Sequence, residues 1–251
     1  MILTDNPRGN YQFLSGIAPY SSGVVALPGY EFIHVTLRQP PPYRQGFETI
    51  AQYLAAQGRP RQALGAIELR SPTPFSFDGF AEFNQGYQEI LAEWDLLVDG
   101  QNPVARTNVA PELNPPVEPV LHAFAYTAPV SNPITVLTFV VAGAGDLSNG
   151  LLSPEAIVRH GDTSPAGLQE KAACVMAAMQ ARLAGLQALW ADVTTIDIYT
   201  VQPLQTLLAD SILALIGEAA GRGVHWFYSR PPIIGLEFEM DVRGVRQEIW
   251  L

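Results

Sequence analysis

The stretch at residues 104–110 (VARTNVA) places a charged side chain, Arg106, inside a short apolar and β-branched segment. Such a segment predicts a β-strand, and a buried arginine needs an anionic partner because an unpaired buried charge is energetically costly. The planar guanidinium group suits a carboxylate. That carboxylate can belong to the chain, for which Glu112 and Glu118 are candidates, or to a bound ligand, and the sequence leaves both alternatives open.

A second arginine, Arg230, occupies the matching place in the second half of the chain, within residues 228–232 (YSRPP). On each side of the midpoint the residue patterns predict the same order of a β-hairpin, a helix, a strand, a helix and two strands. Matching positions lie about 125 residues apart, a repeat that is too long for a solenoid unit and fits a duplicated domain.

A Pro-rich stretch at residues 129–133 (PVSNP) predicts a boundary between these halves. We therefore expect two domains, residues 1–130 and 131–251, in an α/β fold of the two-layer α+β type. Each domain is expected to hold one mixed sheet with two helices on one face.

Helix starts are predicted at two places by residues that accept hydrogen bonds from free backbone N–H groups. Asp78 is the predicted N-cap of the second helix in the first half, and Ser164 followed by Pro165 begins the first helix of the second half. Residues 204–215 are predicted to form one further helix.

The closing stretch at residues 236–242 (LEFEMDV) alternates strictly between apolar and acidic residues. A strand with this pattern turns its apolar residues to the core and places Glu237, Glu239 and Asp241 on the opposite face. That face meets either water or a cleft. In a cleft, mutual repulsion of the carboxylates would raise at least one pKa and favour acid–base chemistry.

Composition excludes several classes of partner. The chain has 251 residues, of which 48% are hydrophobic, as expected of a folded protein. With 14 basic and 24 acidic residues its net charge is −10, which argues against nucleic acid and anionic membranes as partners. Only 15% of the residues are charged, which indicates loss of surface to an internal or oligomeric interface, and we expect a homo-oligomer.

Neither a metal nor an organic cofactor is expected from the residues available. Cys174 is the only cysteine, which leaves no cysteine-based zinc site, and the four histidines are scattered along the chain. Lys171 is the only lysine, so any lysine–imine chemistry would rest on it alone. The sequence begins without the pattern of a signal peptide, and its longest apolar run is too short to span a membrane, so we expect a cytoplasmic protein.

Three stretches of the first half resemble motifs of the Rid (reactive intermediate deaminase, YjgF/RidA-type) family. These are residues 14–19 (LSGIAP), 80–87 (FAEFNQGY) and 103–109 (PVARTNV). The second half resembles the family more loosely, through residues 193–201, 229–231 and 236–242. The resemblance implies two chorismate-mutase-like domains in tandem, assembly as a trimer, and cofactor-free hydrolysis of an imine or enamine to a ketone and ammonia.

The resemblance also implies roles for particular residues. Arg106 and Arg230 match the family's arginine that holds the substrate carboxylate, and Glu239 matches the glutamate that orients water. In the first half the corresponding place holds His122, with Glu118 nearby. We therefore expect the site with Arg230 and Glu239 to dominate turnover.

The function that we expect is deamination of a small carboxylated enamine or imine, with an aminomuconate-like metabolite as one candidate substrate. An imine carbon is already electrophilic, so holding the carboxylate and one water in place can suffice for hydrolysis. Two alternatives stay open. One is a non-catalytic module that binds a carboxylated metabolite, and the other is a chorismatase-like hydrolase.

Overall fold

A computed structural model describes residues 1–130, 136–148 and 151–251. The Pro-rich stretch at residues 129–133 lies partly outside the described residues, as does the start of the apolar run that follows it. The predicted boundary between residues 130 and 131 falls at this place and stays a prediction.

The first sheet has seven strands. Every neighbouring pair is antiparallel except the last two strands, which are parallel. In spatial order the strands are β1 (Leu3–Asn6), β2 (Tyr11–Leu14), β3 (Gly23–Ala26), β8 (Phe139–Gly145), β12 (Glu239–Gly244), β9 (Thr195–Tyr199) and β10 (His225–Phe227).

The second sheet has six strands and is also mixed. Two of its neighbouring pairs are parallel, β5 with β6 and β4 with β13, and the other pairs are antiparallel. In spatial order the strands are β11 (Ser229–Arg230), β6 (Ala105–Pro111), β5 (Leu64–Arg70), β7 (Val120–Pro129), β4 (Tyr30–Thr36) and β13 (Gln247–Trp250).

Helices cover the outer face of each sheet. The helices α1 (Tyr43–Ala56) and α2 (Phe77–Glu93) pack on the six-stranded sheet through one apolar cluster. The long helix α3 (Pro165–Gly185) packs on the seven-stranded sheet through another. Among the described residues, no helix is both long enough and apolar enough to cross a membrane.

The helix ends compared below agree with those predicted from the sequence, with two exceptions. Ser164 caps α3 through its side chain, with Pro165 at the first helical position, as predicted. In α2 the N-cap is Ser76, which accepts a hydrogen bond from Gly79 N, and the predicted cap Asp78 lies in the first turn instead. The predicted helix at 204–215 is short, because α4 (Gln205–Leu207) passes at once into a π-helical turn at Leu208–Leu213.

The inner faces of the two sheets pack against each other. Tyr11 and Phe13 of the seven-stranded sheet share an apolar cluster with Phe32 of the six-stranded sheet. The same cluster contains small residues, which let the sheets approach closely: Ala66, Ala105, Ala125 and Ala142. The chain thus forms four layers, in the order helix, sheet, sheet, helix.

The predicted pair of tandem domains, each with a chorismate-mutase-like sheet of its own, is wrong. Strand β3 of the first half pairs with β8 of the second, whereas β11 and β13 of the second half pair with β6 and β4 of the first. The fold is instead mixed α+β with two mixed sheets, each built from both halves of the chain. An alternating pattern predicts which face of a strand is buried, but it does not predict which other strand will pair with it through backbone hydrogen bonds.

One fully buried ion pair joins α3 to the seven-stranded sheet. Lys171 Nζ donates to Asp146 Oδ2 at 2.8 Å and to the carbonyl of Val158 at 2.6 Å. The other oxygen of Asp146 accepts the backbone N–H groups of Glu237 and Phe238, just before β12. Both charged side chains are completely inaccessible, so each depends on the other for compensation.

We expect Lys171→Met to lower the free energy of unfolding by about 3–5 kcal/mol, because it leaves Asp146 charged and buried without its cation. Urea denaturation of the folded chain measures this change. Arg8→Gln is the control, since it removes an ion pair with Asp95 that lies at the exposed surface. Equal stability of the Lys171 and Arg8 variants would contradict the account.

Candidate active site

A small cavity lies where β6 of one sheet approaches β8 and β12 of the other. Its volume is about 40 Å³, and we call it the inner cavity. This is room for a carboxylate-sized group or a few water molecules. Its lining comes from both halves of the chain: Tyr20, Phe80, Arg106, Asn108, Gly143, Gly145, Leu147, Leu152, Pro232, Ile233, Leu236 and Glu239.

Arg106 is the buried cation of the inner cavity and is 3% exposed. Its guanidinium carbon lies 4.7 Å from the ring centroids of both Tyr20 and Tyr87, and its Nη2 donates to Asn84 Oδ1 at 2.6 Å. Burial lowers the pKa of this guanidinium, which nevertheless stays protonated as arginine does in proteins. Its Nη1 is buried and has no hydrogen-bond partner among the described residues.

Asn108 supplies a second free donor on the same strand. Its Oδ1 accepts a hydrogen bond from Ser71 Oγ at 2.9 Å, which fixes the orientation of the amide. Its Nδ2 is buried and, within the described part of the chain, has no partner. Residues two apart on a strand share a face, so Arg106 and Asn108 present unsatisfied donors together. Buried donors require acceptors, and an anion with two oxygens meets that requirement.

Glu239 is the acid of the inner cavity and is 3% exposed. Burial raises the pKa of its carboxyl group well above the usual range, and the nearby Asp241 raises it further. The charges of Arg182 and Arg106 act in the opposite direction and lower this pKa. A raised pKa favours the protonated form of the carboxyl group, which can donate its proton.

Asp241 continues this buried polar layer away from the cavity. Its carboxyl group accepts a hydrogen bond from Tyr199 Oη at 3.0 Å. Burial raises the pKa of Asp241 well above its usual range, and the charge of Asp197 raises it further. Of the predicted acidic face of 236–242, Glu239 and Asp241 thus lie between the sheets and not in water.

A larger cavity of about 630 Å³ adjoins the inner one, and we call it the outer cavity. The two cavities share Tyr20, Gly143, Gly145, Leu147 and Leu152 as lining residues. Arg182, on α3, lines the outer cavity. Its Nη1 donates to the carbonyl groups of Ala142 and Gly143 at 2.7 and 3.1 Å.

The other residues predicted for the site lie elsewhere. Arg230 does not line the inner cavity, because it forms a two-point ion pair with Glu112 at 2.6 and 3.1 Å. Glu118 is exposed on the loop between β6 and β7. His122 lies on β7, and burial together with the charge of Arg70 lowers its pKa to about 4, so it is neutral at physiological pH.

The sequence analysis assigned no functional role to Asn108 or Arg182, which line the inner and the outer cavity respectively. The signal for Asn108 was present, since it follows Arg106 at a spacing of two residues within an apolar strand. Arg182 gave no such signal, because an arginine late in an amphipathic helix normally faces water. No group of three or more His, Cys, Asp or Glu side chains able to hold a metal is found in residues 1–130, 136–148 and 151–251.

Among solved structures, the chain is similar to a chorismatase with a TM-score of 0.47 and 14% identity, covering 89% of this chain and 77% of that one. It is also similar to a cyanuric acid hydrolase with a TM-score of 0.44 and 11% identity, covering 88% of this chain and 69% of that one. Structural similarity this weak does not indicate the activity of this chain.

Sequence comparison gives a much closer relationship. The profile of the family described as 2-aminomuconate deaminase CnbZ matches residues 3–249. A relative, the 2-amino-5-chloromuconate deaminase of Comamonas testosteroni, is 42% identical over 241 residues, which cover 96% of this chain and 95% of that protein.

These findings correct the resemblance to the Rid family, because the family that matches is a different one. The expected trimer loses the support that it drew from that resemblance. The match covers nearly the whole chain and includes both Arg106 and Glu239. The chain therefore belongs to the 2-aminomuconate deaminase CnbZ family.

Proposed function

We propose that this chain is a deaminase that hydrolyses a 2-aminomuconate-like substrate, a conjugated six-carbon dicarboxylate with an amino group beside one carboxylate. One observation carries this proposal: Arg106 and Glu239, from different sheets, line the same buried cavity. The names of the family and of the relative from Comamonas testosteroni support the same substrate class.

The first contribution of the site is binding. Arg106 Nη1 and Asn108 Nδ2 donate hydrogen bonds to the carboxylate next to the amino-bearing carbon, which satisfies two buried groups that otherwise lack partners among the described residues. A charge-assisted pair of this kind fixes both the position and the orientation of the substrate. The amino-bearing carbon then lies in the inner cavity, beside Glu239.

The second contribution is proton transfer. Glu239 gives its proton to a carbon of the diene, and the enamine becomes an iminium ion, whose carbon is electrophilic. The resulting carboxylate then takes a proton from a water molecule as the water oxygen bonds to that carbon. In the tetrahedral adduct the nitrogen gains a proton and the oxygen loses one, so that ammonia leaves and a ketone remains.

Substitution of the two central residues separates these contributions. We expect Glu239→Gln to lower kcat by about 10²-fold or more with little change in KM, since it removes the proton donor. We expect Arg106→Gln to raise KM by roughly tenfold or more, since it removes a charge-assisted contact to the carboxylate. Ammonia release from 2-aminomuconate measures both effects.

Arg230→Gln tests the assignment that the sequence favoured. Because Arg230 is paired with Glu112 and does not line the inner cavity, its substitution should change KM less than that of Arg106. A larger effect at Arg230 than at Arg106 would contradict the proposal. Saturable binding without ammonia release in the unsubstituted protein would leave a carboxylate-binding module as the function.

The pH dependence gives an independent test of Glu239. Its carboxyl group must be protonated when the substrate binds, so kcat/KM is full below its raised pKa and falls as pH rises through that value. We expect this alkaline limb above the usual range of glutamate, and we expect Glu239→Gln to abolish it. An unchanged limb in the Gln variant would assign the titration to another group.

A further inference from the structure

The inner cavity is too small for the whole of the proposed substrate. At about 40 Å³ it accommodates a carboxylate and its neighbouring carbon, but a conjugated six-carbon chain extends beyond it. The outer cavity, at about 630 Å³, is the adjoining space, and the two meet at Tyr20 and Gly143. The far end of the substrate therefore lies in the outer cavity.

Arg182 is the only charged side chain among the described residues that line the outer cavity. The carbonyl groups of Ala142 and Gly143 hold its Nη1 in place. Its Nε and Nη2 have no hydrogen-bond partner within the described part of the chain, so donors remain free on a guanidinium group that is already oriented. Arg106 is likewise anchored through one nitrogen, but its free Nη1 is fully buried, whereas Arg182 is only partly buried.

The side-chain charges of the two cavities also match a dianion. Arg106 and Arg182 contribute two positive charges, while burial raises the pKa of Glu239 and so disfavours its charged form. The other titratable side chains of the lining, Tyr20 and Cys174, have raised pKa values and stay neutral at physiological pH. Two guanidinium groups in a partly enclosed space favour a ligand with two carboxylates.

We propose that Arg182 forms a second carboxylate subsite, which binds the distal carboxylate of an extended dicarboxylate while Arg106 binds the proximal one. This inference rests on the proposed function for the orientation of the substrate, but not on its chemistry. It makes Arg182 the residue that distinguishes dicarboxylates from monocarboxylates of the same length.

Binding of two matched probes tests the subsite without any turnover. The trans,trans isomers of muconate and sorbate share a six-carbon diene chain, and only muconate carries the distal carboxylate. By calorimetry we expect the unsubstituted protein to bind muconate roughly tenfold to a hundredfold more tightly than sorbate. Arg182→Gln should remove this preference by weakening muconate binding alone, and Arg182→Lys, which keeps the charge, should retain part of it.

Arg8→Gln is the control, because Arg8 lies at the surface in a pair with Asp95 and should leave the preference intact. Thermal unfolding of each variant shows whether the variant is folded. If Arg182→Gln does not fold, the comparison of Arg182→Lys with the unsubstituted protein tests the subsite. Equal binding of both probes by the unsubstituted protein, no binding of either, or equal weakening of both by Arg182→Gln would overturn the subsite.

Ammonia release from 2-aminomuconate is measured separately on the same preparations. A muconate preference that depends on Arg182 without any ammonia release would support the subsite and contradict the proposed deamination. Ammonia release without such a preference would support the deamination and contradict the subsite.

Discussion

The candidate site depends on the close packing of the two sheets at Gly143. A Cβ atom at this position of β8 would collide with Oε1 of Glu239 and would lie 3.1 Å from the Thr107 side chain of the opposite sheet. The glycine therefore leaves room for the carboxyl group of Glu239 between β8 and the Thr107 side chain of β6. This packing brings Arg106, which neighbours Thr107 on β6, to the same cavity as Glu239.

The same packing sets the electrostatic properties of the site. Because the strands meet closely, water is largely excluded, and burial is the main cause of the raised pKa of Glu239. The arginine side chains are held by neutral partners, namely Asn84 for Arg106 and two backbone carbonyls for Arg182. Their charges are thus not cancelled within the protein, and they remain available to an anionic ligand.

Arg106 and Glu239 could be recognised from the sequence as candidate functional residues, but their proximity in the fold could not. Arg106 was recognisable as a charge within an apolar strand, and Glu239 as part of a strictly alternating strand. The periodicity of apolar residues indicates which face of a strand is buried, but it does not indicate which strands pair along its edges. The sequence therefore paired Glu239 with Arg230, its neighbour along the chain, whereas the strands bring it to Arg106.

Two further differences between expectation and structure concern Asp78 and Arg182. Asp78 was predicted as a cap because aspartate is common there, but Ser76 stands two residues earlier and accepts the bond from Gly79 N. The sequence did not predict a role for Arg182, because the position of a residue on a helix does not reveal whether a cavity lies beside that helix. The contrast with the well-predicted start of α3 shows that local hydrogen bonding is readable from sequence, whereas contacts between distant elements are not.

A crystal structure of the protein with bound trans,trans-muconate tests whether Arg106 and Glu239 form one binding site. We expect one carboxylate on the guanidinium of Arg106, with the adjacent carbon of the ligand beside the carboxyl group of Glu239. A ligand whose carboxylate binds at Arg230, with the inner cavity empty, would contradict it.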